Sequence, residues 1–437
     1  MLEMPDTDVL KNVNDVSVAD FPEFAPVEVT YDQPQIDDIE AVTTAELEDF
    51  SPLASLEEGA EIGLTAGSRG IHDMPAILQA AVEYLTDEGF EPFVFPAMGS
   101  HGGATAEGQR ELLESLGITE ETMGCEIRSS MDVMSVGEAG DGRPVFAATD
   151  AIEADAVILA NRVKLHTDFA GDIESGLTKM SVIGLGKQRG AEAMHKGALA
   201  NSFEESIRER ASVLFEETPI VGGIAMIENA EDRAAHIEAV PVEEIFDREP
   251  ALLERSEEYL PMIPTEDLDV LVVDEIGKNV SGTGMDTNVI GRIDMLGEAE
   301  PETPDYTRIY VRSITEESHG NGIGMGLADF VHQRVVEQVD LNDVYVNVLT
   351  AGEPARSHIP LIAPTDAVAM QLLAGCTGVK DPADLRIARI QNTMEVDRVL
   401  VSEPVAADLE SDENVSVGEL APLEFDGEDL ATPFYAK

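Results

Sequence analysis

Cysteine, tryptophan and positive charge are what this chain has least of. It holds two cysteines, no tryptophan, and 27 basic residues against 87 acidic ones. Cys125 and Cys376 can form neither a disulfide framework nor a four-cysteine zinc centre. A formal net charge of −60 argues against nucleic acid and anionic membrane as partners, because both would be repelled. No apolar run approaches the ~20 residues of a membrane span. The N-terminal residues have neither the basic stretch nor the apolar core of a secretory signal. The expectation is a soluble, cytoplasmic protein.

What is present in excess is acid, dispersed along the whole length rather than gathered in a tail. Charge spread in this way repels itself at low ionic strength. Molar salt shortens the screening length to ~3 Å and removes most of that repulsion. The composition therefore reads as halophilic, fitted to a salt-rich cytoplasm. With 43% hydrophobic residues over 437 positions, the chain can bury a sizeable core and build two domains.

The pattern sharpens after residue 58. Glu61 to Ala66 reads as a strand ending in the turn Gly67-Ser68-Arg69-Gly70, and Met74 to Glu88 has helical apolar spacing. Glu91 to Met98 is the next strand and runs into Gly99-Ser100-His101-Gly102-Gly103. Thr105 then caps a helix over 106–116, which Gly117 ends. Ala156 to Ala160 is a further strand, leading into Asn161-Arg162-Val163-Lys164-Leu165-His166.

Such alternation predicts an α/β fold, two α/β domains with mainly parallel sheets, whose loops gather at the carboxyl edge where these sheets bind ligands. A second unit starts near 265: Leu268 to Asp274 reads as a buried strand before the glycine-rich stretch 277–284. Strands are expected at 308–312 and 344–348, with a helix over 324–339. The domains are read as an acidic arm, 1–58, packing on the first domain, then 59–264 and 265–437. The acidic stretch from about 403 is a strap or a tail.

His101, His166 and His195, among only eight histidines, stand beside glycines or at probable strand ends. Histidine suits proton transfer near neutral pH and is a common metal ligand. Lys164, Lys179, Lys187, Arg189 and Lys196 crowd into the segment that holds His166 and His195. Lys278 and Arg69 stand in glycine-rich loops. A cation beside free backbone N–H groups suits phosphate or carboxylate. The loop 184–190 only superficially follows a dinucleotide-binding fingerprint and lacks a clean following helix and strand.

Taken in order, these residues resemble the lactate racemase family. The resemblance rests on Ser68-Arg69, then Gly99-Ser100-His101, then His166 with Phe169-Ala170-Gly171, then Lys179, then His195. Lys179 and His195 are sixteen residues apart, as the family leads one to expect. It covers about 60–200 well and extends more loosely to Lys278. The resemblance implies a nickel-pincer nucleotide (pyridinium-3,5-bisthiocarboxylic acid mononucleotide nickel) and racemisation or epimerisation of a small anionic 2-hydroxy acid. It makes His195 the nickel ligand and Lys179 the covalent anchor of the cofactor. Ser68, Arg69, Ser175 and Gly176 become its phosphate site, and His101 and His166 the acid/base pair. Lys278, helped by Arg69, would take the substrate carboxylate, with the second domain closing a cleft over the cofactor.

The chain departs from that pattern in three places. Ala66 stands where the family carries Asp, and the segment from His166 to Lys179 is about three residues longer, bringing in Asp172 and Glu174. There is also no tryptophan to contact substrate. These changes point to a divergent branch with a substrate other than lactate. From the residues alone, two other readings stay open: a zinc hydrolase built on the three histidines, and a non-catalytic binder of an anionic metabolite.

Overall fold

The computed structural model describes residues 5–432 apart from Arg69 and 199–201, and only the backbone of 350 and 351. The chain forms two compact units, one of residues 33–260 and one of 1–32 with 261–437. Among the described residues, no helix is long and apolar enough to cross a membrane.

The unit of 33–260 is built on a six-stranded sheet. In spatial order its strands are Glu126–Ile127, Glu91–Pro96, Glu61–Ala66, Ala156–Arg162, Ile220–Glu228 and Ala234–Pro241. The first five run parallel, and the last pairs antiparallel with its neighbour. Continuous apolar runs such as Ile62-Gly63-Leu64 and Val157-Ile158-Leu159 are what a sheet covered on both faces requires, and these side chains are buried. Gly63 is needed where it stands, because a Cβ there would lie 2.9 Å from the rings of both Phe93 and Phe95. Helix Met74–Asp87 buries Ile77, Ala80, Ala81 and Leu85, the stripe read from the sequence, and Leu78 beside it. Each fully buried Leu or Ile contributes about 1.5–3 kcal/mol.

The strand order carries the functional consequence. From the strand Glu61–Ala66 the chain grows outward on one side, then returns to add Ala156–Arg162 on the other side of that same strand. The order therefore reverses between these two strands. In open α/β sheets the crevice beyond the carboxyl ends at such a reversal is where ligands bind.

The unit of 1–32 and 261–437 holds an eight-stranded sheet in the order Leu361–Ala363, Phe330–His332, Asp305–Ile314, Asp267–Ile276, Ile387–Ile390, Arg398–Ser402, Phe24–Val29, Val415–Val417. The first five are parallel and the rest antiparallel. The mainly parallel α/β class is as expected.

Several local expectations need correction. The arm 1–58 does not stay on the first domain: Phe24–Val29 pairs between Arg398–Ser402 and Val415–Val417, and only residues from 33 onward join the 33–260 unit. The segment 344–348 is not a strand but part of helix Leu341–Ala351, capped by Asp340 and burying Val344 and Val348, one turn apart. Its alternating valines mimic a strand, since a short apolar run does not reveal its period. The helix expected over 324–339 is an α-helix only at Gln333–Gln338, preceded by a 3-10 turn at Met325–Leu327 and strand Phe330–His332. Gly324 there has φ +89 and lies against the Thr283 carbonyl, a conformation no helix interior allows. Beyond the 184–190 loop a helix does follow, Lys187–Ala198, though the next element is another helix, Phe203–Glu217. The stretch from 403 is a strap, with a helix at Glu403–Leu409 and a final hairpin that buries Leu430.

Candidate functional site

The loops that leave the two strands flanking the order reversal carry Ser68 and His166, and the loop after the neighbouring strand Glu91–Pro96 carries His101. All three lie on the carboxyl edge of the 33–260 sheet. Arg69 lies outside the described residues.

The His101 loop is tightly built. Gly102 and Gly103 have φ of +64 and +65, and a Cβ on Gly102 would meet the Gly108 backbone at 2.5 Å. Thr105 caps the next helix by accepting the Gly108 N–H at 3.1 Å. The His101 ring bonds through Nδ1 to the Ser68 hydroxyl, so two residues from separate loops meet directly. A hydroxyl can donate or accept, so this bond is compatible with either neutral tautomer of the ring.

His166 is held differently. Its backbone N–H donates to Glu174 Oε2, and the Asp168 N–H donates to its Nδ1 at 3.0 Å. An accepting Nδ1 places the proton of the neutral ring on Nε2. His166 therefore presents a donor at Nε2, whereas His101 can present a lone pair.

The ring of His166 stacks on Phe169 with centroids 4.7 Å apart, Phe169 stacks on Phe203 at 5.2 Å, and His195 meets Phe203 edge-on at 6.3 Å. An aromatic pair thus links two of the predicted histidines. Burial first, and then the Lys179 ammonium, push the His195 pKa below its usual value. Its neutral form carries the lone pair a metal needs. Gly99, beside the His101 loop, packs against Ala191, one turn before His195 on the same helix: a Cβ on Gly99 would lie 3.9 Å from the Ala191 Cβ. His101, His166, Lys179 and His195 therefore belong to one region of one unit.

Three side chains that the sequence did not single out as structural supports complete the region. Glu174 is buried, takes the N–H groups of His166 and Gly171, and is pushed up to about 7 by burial. This acid, brought in by the lengthened segment, is folded inward to pin the loop. Glu249 is also buried and likewise pushed up to about 7 by burial, and it accepts the Thr178 N–H at 3.0 Å and the Thr178 hydroxyl at 2.6 Å. Lys187 is buried and lowered to about 8 by the same cause. It adopts φ +53, a left-handed conformation that costs a non-glycine residue about 1–3 kcal/mol. Glu249 and Lys187 reach partners far along the chain, which no spacing pattern announces, while Glu174 folds back onto its own loop.

The phosphate role of Ser175 and Gly176 meets an obstacle. Ser175 N–H and C=O both pair with Lys164. The carboxyl of Glu249 fills the space beside Gly176, where a Cβ would lie 2.0 Å from Oε1. An anion already stands at that turn whenever Glu249 is ionised. His195 offers a neutral imidazole and Lys179 an amine, whereas the turn at Ser175 and Gly176 leaves an anion little room.

Lys278 lies in the other compact unit, after strand Asp267–Ile276. Its Nζ donates to the Gly282 carbonyl at 2.7 Å and its N–H to Ser318 Oγ at 2.8 Å. A zinc centre on the three histidines is not formed. Among the described residues, the one trio of His, Cys, Asp or Glu with ligand atoms within 4.8 Å is His332, Asp366 and Asp429. There Arg312 binds Asp366 Oδ2 and Arg334 binds Asp429 Oδ2, so the carboxylates already have cations.

Residues 69–206 match the family model of the lactate racemase N-terminal domain. Among solved structures, the chain is similar to the lactate racemase apoprotein of Thermoanaerobacterium thermosaccharolyticum. Identity is 13%, the TM-score is 0.52, and the match covers 87% of this chain and 96% of that one. The search of curated proteins gives no match.

Proposed function

We propose that this lactate racemase-like chain is a racemase or epimerase of a 2-hydroxy acid that works with a nickel-pincer nucleotide. The observation that carries the reading is the meeting of His101 with Ser68 at the sheet's order reversal, together with the aromatic pair linking His166 to His195 beside Lys179. His195, kept neutral by burial and by Lys179, would ligate nickel, and Lys179 would attach the cofactor. Ser68 and Arg69 would take its phosphate, with Ser175 and Gly176 contributing when Glu249 is protonated. When bound, the cofactor supplies the acceptor and donor of the C2 hydride.

The protein's own part is proton handling and orientation. In the resting arrangement His101 can present a lone pair to the substrate hydroxyl, while Nε2–H of His166 can donate to the oxygen once it has become a carbonyl. In one orientation the proton leaves to His101, which becomes an imidazolium; in the other it is returned by His166 only if that ring enters the cycle as an imidazolium and ends neutral. The carboxylate falls to a cation, for which the resemblance nominates Arg69.

The test is co-production with the cofactor-making machinery, followed by intact-mass spectrometry, nickel analysis and an assay for C2 inversion across 2-hydroxy acids. The expected result is a mass increment abolished by Lys179→Ala, one nickel lost in His195→Ala, and inversion lost in His101→Ala and His166→Ala. Protein without increment, nickel or inversion would overturn the reading.

A further inference from the structure

We propose that Lys187 and Gln109 are positioning residues that hold the His101 loop in register with the helix bearing His195. The proposal rests on reading His101 as an acid/base group and His195 as a metal ligand. Lys187 is the first residue of helix Lys187–Ala198, on which His195 lies two turns further on. Its amine donates to the Pro96 carbonyl at 2.5 Å and to Gln109 Oε1 at 3.1 Å. Gln109 Nε2 in turn donates to the carbonyls of Gly99 at 3.0 Å and His101 at 3.3 Å. Both side chains are sealed, Gln109 at 0% and Lys187 at 1% exposure.

One continuous set of hydrogen bonds thus runs from the start of the His195 helix, through the end of strand Glu91–Pro96, to the backbone of His101. A space-filling role would need neither the buried ammonium nor the left-handed backbone that aims it. Gln109 is the joint that reaches the loop carbonyls themselves. Its oxygen faces Lys187 and its nitrogen faces the loop, so both halves of the amide are used.

Gln109→Glu separates these halves. The carboxylate keeps Lys187 and even pairs with it, but has no N–H for the two carbonyls. Lys187→Met cuts the other side. Both variants are made in the full chain, and the ring nitrogens of His101 are read by 15N NMR, assigned through His101→Gln. In the cofactor-loaded enzyme, kcat and KM are read beside them. The expected result for Gln109→Glu is a near-unchanged Tm, loss of the Ser68-bonded ring signature of His101, and unchanged His236 signals. Catalysis should fall on the order of 10- to 100-fold in kcat with little change in KM, the usual cost of misplacing a reacting group by about 1 Å.

Ring signals of His101 and kcat both unchanged in Gln109→Glu would overturn the proposal, even if Lys187→Met fails to fold. Displaced His101 signals in a chain that inverts no 2-hydroxy acid would sink the racemase reading alone and leave the positioning role standing.

Discussion

At the scale of single residues, the site region is held by carboxyls that burial keeps near their titration point. Glu249 rises from 4.5 to about 7 in the folded chain. A raised carboxyl pKa means that the native state holds the proton more tightly than the unfolded chain does. The stability it contributes is full below pH 4.5 and is lost as pH rises through 7, on the order of 3 kcal/mol in all. Glu249→Gln keeps an acceptor for Thr178 and should flatten that pH dependence. Denaturant unfolding at pH 5 and pH 8 measures it, and an unchanged slope would show that the carboxyl is ionised throughout. The histidines and Lys179 were legible because histidine and lysine are rare in this chain. Glu174 and Glu249 were not, since nothing sets one Glu apart from its many acidic neighbours until the fold buries it, and Gln109 gains its partners only in the fold.

At the scale of elements, the buried parallel strands could be read because they are continuous apolar runs, and Thr105 could be read as a cap because its neighbours obey helix chemistry. Thr105→Ala should lower stability by about 1 kcal/mol, checked by thermal unfolding. The same spacing logic failed at 344–348, where Val344 and Val348 serve a helix while the residues between them alternate like a strand. Phe203 shows an element acting on chemistry. It joins the Phe203–Glu217 helix to both the His166 loop and the His195 helix through ring contacts. Phe203→Leu removes the stacking, worth about 0.5–1.5 kcal/mol, and should broaden the His166 and His195 ring resonances together. A change confined to one of them would break the link.

At the scale of the whole molecule, the charge divides into two populations. The acids are largely on the surface, whereas Arg210, Arg312, Arg356 and Arg389 are almost wholly buried. Arg312 lies between Asp274 and Asp366, at 2.8 and 2.7 Å. Salt screens the surface but barely reaches such pairs. Tm should therefore climb between ~0.1 and ~2 M KCl, while Arg312→Met should cost about 3–5 kcal/mol at either salt concentration. Loss of that penalty in high salt would mean that water penetrates the pair. Net charge was legible from composition. The pairing of Phe24–Val29 with strands near the other end of the chain was not, because no local pattern encodes so distant a partner.

That pairing has a consequence for biogenesis. The strand Phe24–Val29 emerges from the ribosome before the 33–260 unit, yet both its neighbours, Arg398–Ser402 and Val415–Val417, are made after that unit. Until then it is an unsatisfied edge, while the interposed segment 33–260 already contains every strand of its own sheet. Co-translational folding should therefore complete the 33–260 unit first, with the strand Phe24–Val29 waiting, in need of shielding from aggregation, for the later strands that flank it.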